Sequence, residues 1–203
     1  MTAKIRVERL TPARRDDFLR FFDHERGPAF ADNPEWAKCY CHFYHVPKAI
    51  AWGRLDGDAN RTAMTARIEA AEMDGFLAYA AGGVVGWLNA QPYSKLPHCI
   101  ARMGIPAPQV EAPPEATAAI VCFVVAPKWR RRGVARALLA FALESFEARG
   151  IRVVDAFPFR RGASTAASDH YHGPLSLFRE TGFEQVSEHR YLTVMRKRFT
   201  AQP

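Results

Sequence analysis

The feature that most limits what this chain can become is a run of nine uncharged residues, Thr117–Val125, reading TAAIVCFVV. It is rich in β-branched and aromatic side chains and shows no polar alternation. It therefore predicts a strand buried on both faces, at the centre of a sheet that helices cover from both sides. The next residues are just as constraining. Pro127 breaks the strand, Arg130, Arg131 and Arg132 form a basic turn, and from Gly133 to about Arg149 the pattern becomes helical. Val134, Leu138, Phe141, Ser145 and Phe146 mark the expected core stripe, Arg136, Glu144 and Glu147 the wet face, and Gly150 the stop.

The flanking sequence extends the same alternation. KIRVERL (4–10) predicts a first strand, and Thr11 with Pro12 predicts the start of a helix reaching about Glu25, with Phe18, Phe21 and Phe22 on its inner face. A loop at 27–34, a short helix from Pro34, an irregular stretch at 46–60 and a helix capped by Asn60 come next. Runs 76–81 and 84–91, joined by Gly82-Gly83, read as a hairpin. The uncharged segment 75–94 approaches bilayer length, but its glycines, Asn89, Gln91 and Pro92 favour that hairpin over a membrane span. Residues 92–115 hold six prolines and predict a long surface excursion. A strand at 151–157, a loop at 158–173, a helix at 174–181 and two closing strands complete the chain. With 203 residues, 48% hydrophobic and 24% charged, one mixed α/β (α+β) domain over 1–203 is expected.

A net charge of +7 favours an anionic partner without distinguishing nucleic acid, acidic lipid or a phosphorylated cofactor. The opening residues lack the apolar core of a signal peptide. That absence and the four cysteines lead to an expectation of reduced thiols and a cytoplasmic location.

The arginine run acquires a meaning from its position. The first amides of a helix lack intrahelical partners and carry the positive end of its dipole. An apolar strand, a basic glycine turn and a helix N-terminus together form a cradle for a diphosphate. No Gly-Lys-Ser/Thr comes after it, and Gly133 stands alone, so neither the Walker loop nor the dinucleotide GxGxxG pattern applies. A solvated turn capping a helix, or a non-specific nucleic-acid patch, remain the competing readings.

The stretch VVAPKWRRRGVARALLAFALESFEARG resembles the acetyl-CoA-binding signature of the GNAT-superfamily N-acetyltransferases, Arg/Gln-x-x-Gly-x-Gly/Ala, here Arg130, Gly133 and Ala135. LFRETGFEQV resembles the family's second marker, a short helix ending in Gly-Phe before a strand. The order of elements agrees across about 4–199, and sharply over about 120–185. The resemblance implies a central mixed sheet of about six to seven strands flanked by helices, with a splay between the fourth and fifth strands. It implies acetyl-CoA as cofactor and a primary amine, on a small molecule or a peptide, as acceptor. Phe123, Val124 and Val125 would line the pantetheine arm. The amides of Arg131, Arg132, Gly133, Val134 and Ala135 would hold the diphosphate, helped by the Arg130 and Arg136 side chains. The cofactor core would span about 117–185, with acceptor-side segments at about 27–60 and 92–115. A homodimer is common among such folds. Neither nucleic acid nor membrane is an expected partner.

Two departures matter. Many members carry a tyrosine four residues before the Gly of Gly-Phe as general acid; this chain has Phe178, which cannot donate a proton and is expected to pack against the thioester end of the cofactor. Many also place a glutamate on the fourth strand; AIVCFVV has none. The substitutes in sequence are Asp169, His170, Tyr171 and His172 in SDHYHG, with His170 and Tyr171 as the leading proton carriers, and Asp155 on the fifth strand. The missing tyrosine and glutamate leave open a non-catalytic acyl-CoA-binding module of the same fold, with a basic nucleic-acid binder behind it.

CYCHFYH (39–45) is the second conspicuous stretch. Its cysteines and histidines are zinc-competent, but their spacing matches no common finger or ribbon, so no metal is expected. The segment instead reads as aromatic lining for the acceptor pocket, and Cys122 as a small buried apolar residue.

Overall fold

The protein is seen as a computed structural model that describes residues 4–23, 27–160 and 170–199. Its order is β1 (Arg6–Arg9), α1 (Arg15–Phe22), α2 (Pro34–Ala37), α3 (Gly57–Glu69), β2 (Phe76–Ala80), β3 (Gly83–Pro92), α4 (Cys99–Met103), β4 (Thr117–Val125), α5 (Val134–Ala148), β5 (Val153–Ala156), α6 (Leu175–Glu180), β6 (Glu184–Glu188) and β7 (Thr193–Arg198). The strands form one seven-stranded sheet ordered β1-β2-β3-β4-β5-β7-β6. Among the described residues only β4 and β5 pair in parallel, and α5 makes the crossover between them. The apolar run is the middle strand, as its composition demands, and eight of its nine residues are buried.

Core residues divide between the two sheet faces. Phe18, Phe22, Tyr40, Met64, Ile68 and Trp87 pack on one face; Phe76, Leu138, Phe146 and Phe178 pack on the other. Each such side chain contributes ~1.5–3 kcal/mol relative to exposure.

One irregularity in β4 shapes the site. Asn89 pairs with Cys122 and Ala90 with Ile120, so Val121 is an extra residue, a β-bulge. The bulge shifts the alternation by one. Ile120 and Phe123 face α5, while Val121 and Cys122 both join the opposite core. Parallel pairing of β4 with β5 covers only Thr117–Ile120 against Val153–Ala156 and stops at the bulge. The expected splay is therefore present, and its cause is local.

Several boundaries differ from expectation. A 3-10 turn, Pro12–Arg14, precedes α1, and the expected helix end at Glu25 lies outside the described residues. Asp56, not Asn60, caps α3: its Oδ1 accepts from the Ala59 amide at 2.8 Å. The hairpin turn is Ala81-Gly82, both left-handed (φ 49° and 82°), because Ala80 pairs with Gly83. On α5 the inner stripe includes Leu139, Ala142 and Leu143, and Phe141 is 36% exposed at its edge. Within 92–115 the chain forms α4. No helix among the described residues is long and apolar enough to cross a membrane.

Candidate active site

Beyond the bulge, the outer edge of β4 faces a cavity of about 600 Å³. Phe123, Val124 and Val125 form one wall, Arg130, Arg131 and Gly133–Arg136 another, and Gly173–Pro174 with Leu177 a third. The basic turn is shaped by two left-handed residues, Arg131 (φ 61°) and Gly133 (φ 82°), the latter being the N-cap of α5. Alternating backbone hand turns successive amides inward, and the α5 dipole adds to them. A Cβ placed on Gly133 would meet nothing within 4 Å, so the turn is open at that position. The Arg132 guanidinium stacks over Trp129 at 5.7 Å, which steadies the turn. This geometry suits a diphosphate.

Two arginines expected to hold phosphate are otherwise engaged. Arg130 donates from Nε to the Val125 carbonyl (3.1 Å) and from its terminal nitrogens to both oxygens of Asp32 (2.5 and 3.0 Å). That pairing holds Asp32 below its usual carboxylate range. Arg136 pairs with Glu180 across the cavity mouth, joining α5 to α6. Backbone amides, rather than these two side chains, are thus the available donors. Phe178 is also displaced from its expected role. It is fully buried behind Phe123, 6.1 Å between ring centroids, and does not line the cavity; Phe123 presents the aromatic surface instead.

Past β5 the chain returns to the splay at His170–Gly173. The Phe123 N–H donates to the Tyr171 carbonyl at 2.5 Å. The Tyr171 ring sits against Trp36 (5.0 Å), Phe159 (5.4 Å) and His172 (4.5 Å). Together with Phe30 it lines two cavities at once, the one just described and a second of about 560 Å³. The second lies between the turns of residues 30–57 and β4, and is walled by Trp36, Phe43, Tyr44, Trp52 and Leu55. Its charged lining residues are Lys38 and Asp56, and its floor carries Cys39, Cys41 and Cys122. The segment 27–60 thus shapes this pocket, whereas 92–115 contributes no residue to either cavity. It supports the pocket from outside, through Arg102 bonds to the Val46, Pro47 and Ile50 carbonyls.

Local backbone geometry sets the pocket's floor. Tyr40 (φ 44°) and Cys41 (φ 56°) are consecutive left-handed residues, each costing ~1–3 kcal/mol. They turn the chain sharply into a 3-10 segment, His42–His45. His42 Nδ1 meets Asn60 Oδ1 at 2.9 Å, and Asn60 in turn donates to the Lys38 carbonyl, tying the turn to α3. Tyr44 is buried, and its hydroxyl lies 3.3 Å from His172 Nε2. Burial, foremost, raises the Tyr44 phenol well above its usual pKa, and the same cause pushes the His172 imidazole down to about 3. Both groups are therefore neutral near pH 7.

Of the residues considered as proton carriers, Tyr171 lines both cavities and His170 lines only the first, from an exposed position. Asp169 lies outside the described residues. Asp155 is not a candidate. It is 0% exposed, accepts two bonds from Arg196 (2.7 and 2.9 Å) and one from Tyr93 (3.0 Å), and lines neither cavity. A buried carboxylate so paired is structural. Tyr44 and Asp32 are candidates that sequence reasoning did not single out, and His172, named there beside His170 and Tyr171, is the one bonded to Tyr44. Tyr44 and His172 stood in view within CYCHFYH and SDHYHG, but only the fold brings them together. Among the described residues, no three His, Cys, Asp or Glu side chains are arranged to hold a metal ion.

Comparison with known proteins gives a consistent picture. The model of the family described as Acetyltransferase (GNAT) family matches residues 34–171. No curated protein sequence matches the chain. Among solved structures, the chain is similar to PaiA N-acetyltransferase from Thermoplasma acidophilum in complex with coenzyme A (TM-score 0.55, 12% identity, 97% of this chain and 99% of that one). It is also similar to a ribosomal-protein-alanine N-acetyltransferase from Brucella melitensis (TM-score 0.52, 19% identity, 96% and 99%). A third is yncA from Salmonella typhimurium, solved with its cofactor acetyl-CoA (TM-score 0.53, 16% identity, 100% and 96%). At these identities the likeness concerns the fold.

Proposed function

Since the chain belongs to the Acetyltransferase (GNAT) family, we propose that it transfers an acetyl group from acetyl-CoA to a primary amine bound in the aromatic cavity. The observation that carries this reading is the shared wall. Phe30 and Tyr171 line both the phosphate-suited cavity and the aromatic one, so two ligands bound there would meet end to end. When bound, acetyl-CoA supplies an activated acetyl thioester. The amides of Arg131–Ala135 would hold its diphosphate, and Phe123–Val125 would flank its arm.

The protein's own task is to orient the amine, exclude water and manage one proton. A cavity walled by Trp36, Phe43, Tyr44 and Trp52 favours an amine carried on an apolar or aromatic body. Its low polarity also favours the neutral, nucleophilic form of that amine. Tyr44 lines the cavity, and its hydroxyl is bonded to His172 Nε2. A proton leaving the amine can pass to Tyr44 Oη as the phenol proton passes to the departing thiolate, with neutral His172 Nε2 holding the hydroxyl in place. This pair takes the place left by the phenylalanine at position 178.

The contact between the Phe123 amide and the Tyr171 carbonyl favours a second reading, an acyl-CoA-binding module without chemistry. It occupies the strand amide that would otherwise polarise a thioester. Release of free CoA, measured against a panel of arylalkylamines, aminoglycosides and peptide N-termini, decides between the two. Turnover with apolar amines supports transfer; calorimetric binding of CoA with no turnover on any amine supports the module.

A further inference from the structure

The floor of the aromatic cavity holds a thiol that the proposed acetyl transfer does not use. Cys41 is 2% exposed and Cys122 7%, and both line the cavity. A chain of buried polar groups leads to the Cys41 sulfur. The Asp74 amide donates to Gln91 Oε1 (3.2 Å), Gln91 Nε2 donates to Asn89 Oδ1 (2.7 Å), and Asn89 Nδ2 donates to Cys41 Sγ (3.5 Å). Asn89 is thereby fixed with its N–H toward sulfur. The Trp87 indole nitrogen is fully buried and has no hydrogen-bond partner among the described residues. Cys122, brought to this side by the Val121 bulge, sits opposite Asn89 in the β3–β4 register, so the residue that donates to Cys41 also neighbours Cys122, and both thiols line the same cavity. Burial, foremost, opposes a thiolate at Cys41, but its polar neighbours, Asn89 among them, outweigh it and lower its pKa. Cys39, dominated by burial, is pushed up to about 12, and Cys122 is raised too, by Cys41 and by burial. An oriented amide donor on a sulfur at the wall of an open cavity favours the thiolate there.

We propose that Cys41 and Cys122 form an oxidant-sensitive pair in which Cys41 is the attacking sulfur and Cys122 the resolving one. The co-reactant is hydrogen peroxide, which enters through the cavity. The Cys41 thiolate attacks one peroxide oxygen; an S–O bond forms, the O–O bond breaks, and the departing hydroxide takes up a proton to leave as water. The Cys122 sulfur then displaces hydroxide from the resulting sulfenic acid, its own proton leaving in a second water. Two thiols are oxidised by two electrons and one peroxide is reduced; a dithiol restores both. The disulfide would tie the strained turn bearing Tyr40–Tyr44 to β4 and fix the cavity floor. Only the consequence for acceptor entry rests on the acetyl-transfer reading; the thiol chemistry does not.

The test treats the full-length protein with hydrogen peroxide and maps thiols by peptide mass spectrometry, without acetyl-CoA. A Cys41–Cys122 disulfide that dithiothreitol reverses is expected, along with oxidation of Cys41 at least about tenfold faster than Cys99, whose pKa burial raises to about 12. In Cys122→Ser, dimedone should trap a sulfenic acid at Cys41; in Cys39→Ser the disulfide should still form. Four free thiols after wild-type treatment, or a crosslink involving Cys39 or Cys99, would overturn the proposal whether or not either variant folds.

Discussion

The main-chain N–H of Phe123 donates to the Tyr171 carbonyl at 2.5 Å, so the strand edge opened by the Val121 bulge is met by a residue far along the chain, in the loop after β5. The same residue puts its ring between the two cavities. Removing that ring in Tyr171→Ala should let water reach the cavity junction. CoA release from acetyl-CoA without any amine should rise several-fold, and acceptor KM roughly tenfold. Coupled spectrophotometric assays with and without amine measure both.

Gly133 separates strain from charge. At φ 82°, any side chain costs ~1–2 kcal/mol, so Gly133→Ala should lower Tm by about 2–8 °C and weaken CoA modestly. Gly133→Glu adds a carboxylate in front of the turn amides and should weaken CoA by at least roughly 10²-fold. Isothermal titration of both variants tests the assignment; equal affinities would place the diphosphate elsewhere.

Tyr44→Phe keeps the ring and removes the hydroxyl bonded to His172. A fall in kcat of ~10²–10⁴ with acceptor KM little changed is expected. Tyr171→Phe should leave the pH–rate profile in place. Because His172 is neutral above about pH 3, the acid limb of the wild-type profile should track the acceptor's own pKa and shift when the amine is changed.

Asp32→Asn tests what Arg130 does. Its guanidinium clamps the 27–37 segment, including Phe30, to the cofactor turn through a bidentate pair. If the clamp is its role, Asp32→Asn and Arg130→Lys should both raise acceptor KM while changing CoA affinity less than about threefold, since lysine lacks the planar fork. A large loss of CoA affinity confined to Arg130→Lys would restore it to the phosphate site.

Acid should unfold this protein early. Burial pushes both His45 and His172 from 6.5 down to about 3. Below about pH 6.5 the unfolded chain binds protons at these sites and the folded one does not. Stability is therefore fully present above pH 6.5 and falls as pH drops toward 3, by ~1.4 kcal/mol per pH unit for each histidine. Urea midpoints at pH 7, 6 and 5 should decline along that slope. Replacing either histidine with glutamine should flatten it, even where overall stability drops.

Much of the fold could be read in advance because its signals are local. A nine-residue apolar run can only be an inner strand, Pro127 and Gly133 punctuate the turn after it, and period 3.6 with a final glycine delimits α5. The cofactor turn was legible for the same reason: its amides are neighbours in sequence. Where Asn60 was expected to cap α3, Asp56 had the equivalent chemistry one turn earlier, and the fold used Asn60 to hold Lys38 and His42 instead.

The chain's own sequence thus determined the strand–turn–helix that cradles a diphosphate and the aromatic character of 36–52, both set by residue type at short range. Tertiary structure alone decided that Asp155 is bound by Arg196, that Arg130 holds Asp32, that Tyr44 meets His172 across 128 positions, and that Cys122 lines the same cavity as Cys41. Each of these depends on long-range packing, and the last on a single bulged residue that reverses which side of β4 a side chain occupies. A shift of one position in a strand leaves no trace in hydrophobic pattern when both faces are buried.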